Sequence, residues 1–189
     1  KPPPIERRTP PGASRRFRRA FRCLDQAKVI AERMGATYIL VNARNAMAWA
    51  LCERDKGTTG DAARAVDEAT EAAETARAAR LVVGEIPGLS RSARATAQLG
   101  NLDAARALSR RAVELLEEQR IIDTSEEEVY YTHFRILSTM EDPGALEYLD
   151  RAHSGLLSKL ERLEHEEHRT AFTSGVRLHA AIIRDFRGE

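Results

Sequence analysis

The chain has 189 residues, of which 31% are charged and only 5% aromatic, and its 30 basic side chains almost cancel its 29 acidic ones. Few aromatics beside abundant Ala, Arg, Glu and Leu argue against a sandwich or barrel and for an all-α fold with a thin, extended core. Cys23 and Cys52 lack CxxC spacing, which argues against a disulfide scaffold or a zinc site, and no apolar run approaches the ~18–20 residues of a membrane span, so a reduced, cytoplasmic setting is expected.

Charge is uneven along the chain: residues 1–22 hold eight basic side chains against Glu6 alone. Residues 1–13, KPPPIERRTPPGA, combine five prolines with basic residues and predict a flexible basic arm or linker. An opening on Lys1 and prolines predicts a segment of a longer protein. The helical domain is then expected over 14–189. Ser14 caps a helix that runs to about Met34 and stops at Gly35. Phe17, Ala20, Leu24, Ala27 and Ala31 take one side of it, and Arg15, Arg18, Arg19 and Arg22 the other.

A second helix is expected over Thr37–Arg54, ending near Gly57, with Asp55–Gly60 as a loop. Asp61 is expected to cap the alanine-rich helix DAARAVDEATEAAETARAAR, well formed yet weakly anchored because alanine buries little area. Val82–Pro87 reads as a connector, followed by a helix from about Leu89 to Leu99 and a break at Gly100-Asn101. Asn101 caps the helix through Glu118, and Ser125 with Glu128 predicts a capping box opening a helix over 126–139. Asp142-Pro143 starts a helix to about Leu163. Beyond Glu166 a short turn and a last amphipathic helix with Val176, Ile183 and Phe186 are expected to seal the end.

Four alanine pairs, each seven residues apart, punctuate this order: Ala20/Ala27, Ala65/Ala72, Ala105/Ala112 and Ala145/Ala152, at intervals of 45, 40 and 40 residues. Seven residues return to within about 20° on a helix, so each pair makes one bulk-free stripe on which a neighbour can lie close. At Ala93, Gly100, Leu102, Ala105 and Ala112 the spacing resembles a tetratricopeptide repeat, although the period exceeds the usual ~34 residues and most of the usual aromatics are missing. The longer period, with Val129-Tyr130-Tyr131-x-His133, Leu146-x-x-Leu149-x-x-Ala152 and Arg169-x-x-Phe172, is similar to the C-terminal sensor repeats of large bacterial ATP-binding transcription regulators and related signalling proteins. The resemblance implies a right-handed superhelix of about four antiparallel helix pairs with a C-terminal capping helix. It also implies a non-catalytic module, cut from a larger regulator, that docks a protein, a peptide, a small effector or a neighbouring domain.

No chemistry-bearing motif competes with that expectation. GTTGDAAR has no lysine to meet a phosphate, and there is no G-x-S-x-G. His165 and His168 are three apart, not the four a helical zinc pair needs, in a charged helix end. Neither a catalytic residue, a metal nor a cofactor is expected. His133 reads as a core histidine, and Glu126–Glu128 as first-turn acids at a helix N-terminus. In arrays of the resembled kind the first helix of each pair lines the binding wall, which would place Asn42, Asn45, Trp49, Ser90, Arg94, Tyr130 and Phe134 along a partner-binding groove, with Trp49 and Phe134 also readable as inter-repeat core. The arginine face of the first helix offers an alternative, contact with nucleic acid phosphates. No aromatic interleaves with that face, which disfavours base stacking.

Overall fold

The computed structural model describes residues 13–54, 58–119 and 125–188, and every regular element among them is an α-helix. The helices are α1 (Ala13–Met34), α2 (Thr37–Glu53), α3 (Thr59–Ala78), α4 (Val82–Gln98), α5 (Leu102–Gln119), α6 (Glu126–Thr139), α7 (Ala145–Glu161), α8 (Glu166–Ser174) and α9 (Arg177–Arg187). Of the expected arm only Ala13 falls within the described residues, where it opens α1; residues 55–57 of the expected loop also lie outside them.

Packing runs mostly between sequential neighbours. In addition α2 touches α4, α4 touches α6, and α9 lies against α7. The even helices α2, α4 and α6 thus make one layer, and α1, α3, α5 and α7 a second. Ion pairs cross the spaces of the second layer: Lys28 with Glu68 and Arg64 with Asp25 between α1 and α3, and Arg151 with Glu117 between α7 and α5. The alanine pairs all fall on this layer. Ala65, Ala72, Ala105, Ala112 and Ala152 have no exposed surface and Ala145 almost none, whereas Ala20 and Ala27 on terminal α1 are half-buried.

Several local expectations need correction. Val82–Pro87 is not a connector: α4 begins at Val82 and carries Pro87 inside it. Proline removes the amide that would bond the carbonyl of Val83. The turn is held instead by burial of Gly84, Ile86, Gly88 and Leu89. A Cβ on Gly84 would stand 2.5 Å from Val41 Cγ1, and one on Gly88 only 2.9 Å from the backbone nitrogen of Ala73. Glycine on α4 and alanine on α3 bring the two backbones together, so the buried alanines of α3 gain close contact along the helix despite their small area.

Helix ends supply the others. Thr58, not Asp61, caps α3; Asp61 is its third residue and bonds back to the Thr58 amide at 3.0 Å, which completes a capping box. The box expected at Ser125 and Glu128 does not form. The Glu128 carboxylate is engaged elsewhere, as described below. Pro143 likewise precedes its helix by two residues, while Asp142 accepts from the Gly144 amide at 2.9 Å and from Arg106. Asn101 caps α5 as expected, accepting from the Ala104 amide at 3.2 Å.

Candidate functional site

Intervals of 45 and then 40 residues relate positions on α2, α4 and α6. Asn42, Pro87 and Glu127 correspond, as do Trp49, Arg94 and Phe134, and so do Tyr38 on α2 and Val83 on α4. Steps of four and seven residues keep them on one stripe of each helix. On α2 and α4 this stripe is open: Tyr38, Trp49 and Val83 are 59%, 44% and 43% exposed, Asn42 is exposed and Pro87 half-buried. Arg94 is half-buried and paired with Glu53 of α2 at 2.7 Å.

The other groove candidates fall three residues round. Asn45, Ser90 and Tyr130 share the same 45- and 40-residue intervals, but three residues turn the helix about 60° short of a full circle. That rotation takes them off the stripe and into the packing between helices. Asn45 is 2% exposed and donates its amide to the Gly84 carbonyl at 3.0 Å, tying α2 to α4; Ser90 is 1% exposed. Tyr130 is half-buried against Tyr148, with the Arg151 guanidinium over its ring. Phe134, though on the stripe, is buried in a cluster with Leu149, Leu156 and Ile182. Neither Asn45, Ser90 nor Phe134 therefore presents a surface to an outside partner.

Phe134 is covered by α7, through Leu149 and Leu156, together with Ile182 of α9. Along the stripe of α6, Glu127 faces His179 Nε2 at 3.6 Å, the Tyr131 hydroxyl donates to Asp185 at 2.7 Å, and Phe134 packs in the cluster that contains Ile182. Arg135 adds a second bond to Asp185 at 3.1 Å. Glu127 is 3% exposed; burial pushes its carboxyl up, but the bonds from His179 and Lys159 outweigh that and hold it below the usual range. At its start α9 reaches further, because Arg177 donates to the Glu53 carbonyl at 3.2 Å. α2 has no basic residue in its last turn, so α9 supplies the cation that a helix C-terminus favours.

Between α4 and α6 lies an enclosed polar contact. Arg91 and Glu128 form a two-pronged pair, both bonds 2.9 Å, that neither the charge pattern nor the spacing announces. Cys52 sits in the same neighbourhood, and burial pushes its thiol up to about 11, against the lowering influence of Arg94 and Arg91. Such a thiol stays protonated and is a poor nucleophile. Cys23 on α1 is exposed.

Ser109 Oγ and His133 Nδ1 are 2.8 Å apart, but the two residues are 1% and 4% exposed, and the ring stands edge-on to Tyr148. His133 is a core histidine with a hydrogen-bonded ring nitrogen. Burial, with the charge of Arg106, pushes its pKa down to about 4. The unfolded chain then takes a proton near pH 6.5 that the folded chain refuses until about 4, so stability falls as pH drops through that window. About 2 kcal/mol is expected once solvent screening is allowed for. Urea midpoints at pH 7 and pH 4.5 should diverge for this chain and converge in large part for His133→Gln.

Arg18, Arg19 and Arg22 are exposed on α1, joined there by Arg16, and Arg15 lies in the first turns of the same helix. Phe17 and Phe21 are half-buried with ring centroids 6.1 Å apart, and Phe21 packs on the Met47–Leu51 cluster. His165 and His168 stand at the start of α8, not at a helix end, with Glu166 and Glu167 in its first turn. No helix among the described residues is long and apolar enough to cross a membrane.

Searches for a matching protein family, a related characterised protein and a similar solved structure each returned no match. What the chain is similar to therefore rests on its own internal register: an all-α array of nine helices among the described residues, packed mostly on sequential neighbours.

Proposed function

We propose that the chain is a non-catalytic docking module, a tetratricopeptide-like right-handed superhelix sealed by its last helices, working within a larger bacterial signalling or regulatory protein in the cytoplasm. The partner is a protein or peptide, or a neighbouring domain of the same chain. The observation that carries this reading is the stripe of Tyr38, Asn42 and Trp49 on α2 beside Val83 on α4, aromatic and apolar surface left open on otherwise largely buried helices. Exposed Trp and Tyr on a rigid scaffold supply contact area at little entropic cost, and the Asn42 amide supplies directional bonds.

The test is selection of phage-displayed helical peptides on the intact chain. Clones are expected whose binding weakens at least tenfold with Trp49→Ala or Asn42→Ala, while circular dichroism stays unchanged. Enrichment of no clone that depends on Trp49 would overturn the reading.

Exposed Arg16, Arg18, Arg19 and Arg22 favour a second reading, contact with nucleic acid phosphates through α1. It requires binding of a duplex that falls steeply with added salt and is lost when Arg18, Arg19 and Arg22 become Ala.

A further inference from the structure

Within each pair the second helix meets the first at fixed positions, and the register carries those positions to α1. On α7, Tyr148 lies edge-on to His133 of α6, Gly155 faces the Glu126 side chain and Lys159 bonds Glu127, so the two helices run antiparallel. The intervals that relate the alanine pairs put Leu108 and Leu115 at the first two of these positions on α5, where they pack in the cluster of Ile86 and Leu89 from α4. On α1 the three positions are Cys23, Ile30 and Met34. Among the described residues no helix stands against them: Cys23 is exposed, and Ile30 and Met34 are 56% and 74% exposed.

α2 is open on the same side. Its Ile39 corresponds to Gly84 of α4, which lies against Val41 and Asn45 of α2, yet Ile39 is 53% exposed. Ala31 alone is buried among the described residues of α1, whereas α3 has seven buried residues and α5 six. An apolar face of the kind that receives a first helix is thus open beside α1 and α2. The other end of the array differs, because α9 packs there on α7.

We propose that a second copy of this chain takes the open place, the α1 of each copy serving as the first helix beside the α1 of the other. A two-fold axis across α1 sets the two helices antiparallel, the direction in which α6 meets α7, and gathers Ile30, Met34 and Ile39 of both copies into one seam. Charge fits this arrangement. Arg16, Arg19 and Arg22 stand in the first half of α1, where the helix dipole disfavours bases, with no acid in the first turn and no ion pair of their own among the described residues. In the antiparallel dimer they come beside the last turns of the other copy's α1, with its Glu32 and its C-terminal carbonyls. Size is adequate as well: α1 and α2 have 22 and 17 residues, and the outward half of them, roughly 20, is what a stable interface takes from each side. The same patch serves both copies, so association closes at two. The contact uses α1 and Ile39 and not the Trp49 stripe, so it and the docking reading fail separately.

Sedimentation velocity of the full chain is expected to show a species of twice the chain's mass at micromolar concentration. Ile30→Glu or Met34→Glu should weaken association by roughly a hundredfold, since each dimer carries the change twice. Circular dichroism should stay unchanged, because both side chains are exposed in the single copy. Leu146→Glu, at a comparably exposed apolar position on α7, should leave the dimer intact. Cys52 is buried, so maleimide labelling reads Cys23, which should react several-fold more slowly in the unaltered chain than in Ile30→Glu. Four outcomes would each overturn the proposal: a monomer up to the highest soluble concentration, a dimer that survives both glutamate variants on α1, loss of the dimer with Leu146→Glu, or Cys23 labelling equally fast in both chains.

Discussion

Replacing Arg91 by Ala is expected to lower folding stability by about 3–5 kcal/mol, which is large for one side chain outside the apolar core. The Arg91 and Glu128 side chains are 18% and 11% exposed, and their two bonds of 2.9 Å join α4 to α6. Losing the guanidinium leaves the Glu128 carboxylate enclosed without its partner, and the cost is chiefly that of an uncompensated buried charge. Lysine at 91 supplies charge but not the fork, so Arg91→Lys should recover only part of the loss. Removing both charges is a different matter: the pair Arg91→Met with Glu128→Leu should come back to within about 1–2 kcal/mol of the parent, because a buried pair contributes little beyond what well-packed apolar groups give. Urea denaturation of the parent and these three variants makes the comparison. A single-variant loss below about 1 kcal/mol would show that Glu128 finds water or another donor in the folded state.

Why that pair escapes a reading of the sequence is physical. Glu126, Glu127 and Glu128 open a helix, where acids suit the dipole, and nothing local separates a solvated first-turn acid from an enclosed one. The distinction depends on where α4 lies, and Pro87 disguises its start by placing a helix breaker five residues inside it. The alanine register, by contrast, needs no knowledge of the third dimension. Ala65/Ala72, Ala105/Ala112 and Ala145/Ala152 announce bulk-free stripes by spacing alone, and all six are buried. The residues expected along a wall divide between two faces of their helices. Asn42, Trp49 and Arg94 sit on the stripe, whereas Asn45, Ser90 and Tyr130 differ from it by about 60° of helix rotation. That difference decides between an open surface and a packed seam. The pattern announced a last amphipathic helix sealing the end but not its contacts on α6, since Tyr131 and Asp185 are 54 residues apart and outside the repeat.

Gly88→Ala should destabilise the chain by about 2 kcal/mol, against the ordinary expectation that alanine improves a helix interior by about 1 kcal/mol. The added Cβ would stand 2.9 Å from the Ala73 nitrogen, 3.0 Å from its Cβ and 3.1 Å from the Ala69 carbonyl oxygen. Two of those three atoms are α3 backbone, which cannot rotate aside as a side chain can, so α3 and α4 must part, loosening the alanine face along both helices. Ala73→Gly in the same chain removes the Cβ contact alone, leaves both backbone contacts and adds the helix cost of glycine, so it should restore nothing. Gly155 on α7 provides the comparison of opposite sign. Its would-be Cβ meets only the Glu126 side chain, nearest at 3.2 Å to the carboxylate oxygen, and that side chain can swing away. Gly155→Ala should therefore stabilise by about 0.5–1 kcal/mol. Thermal and urea unfolding of the two variants side by side separates close helix approach from helix propensity: if both stabilise, the contact between α3 and α4 is looser than these distances require.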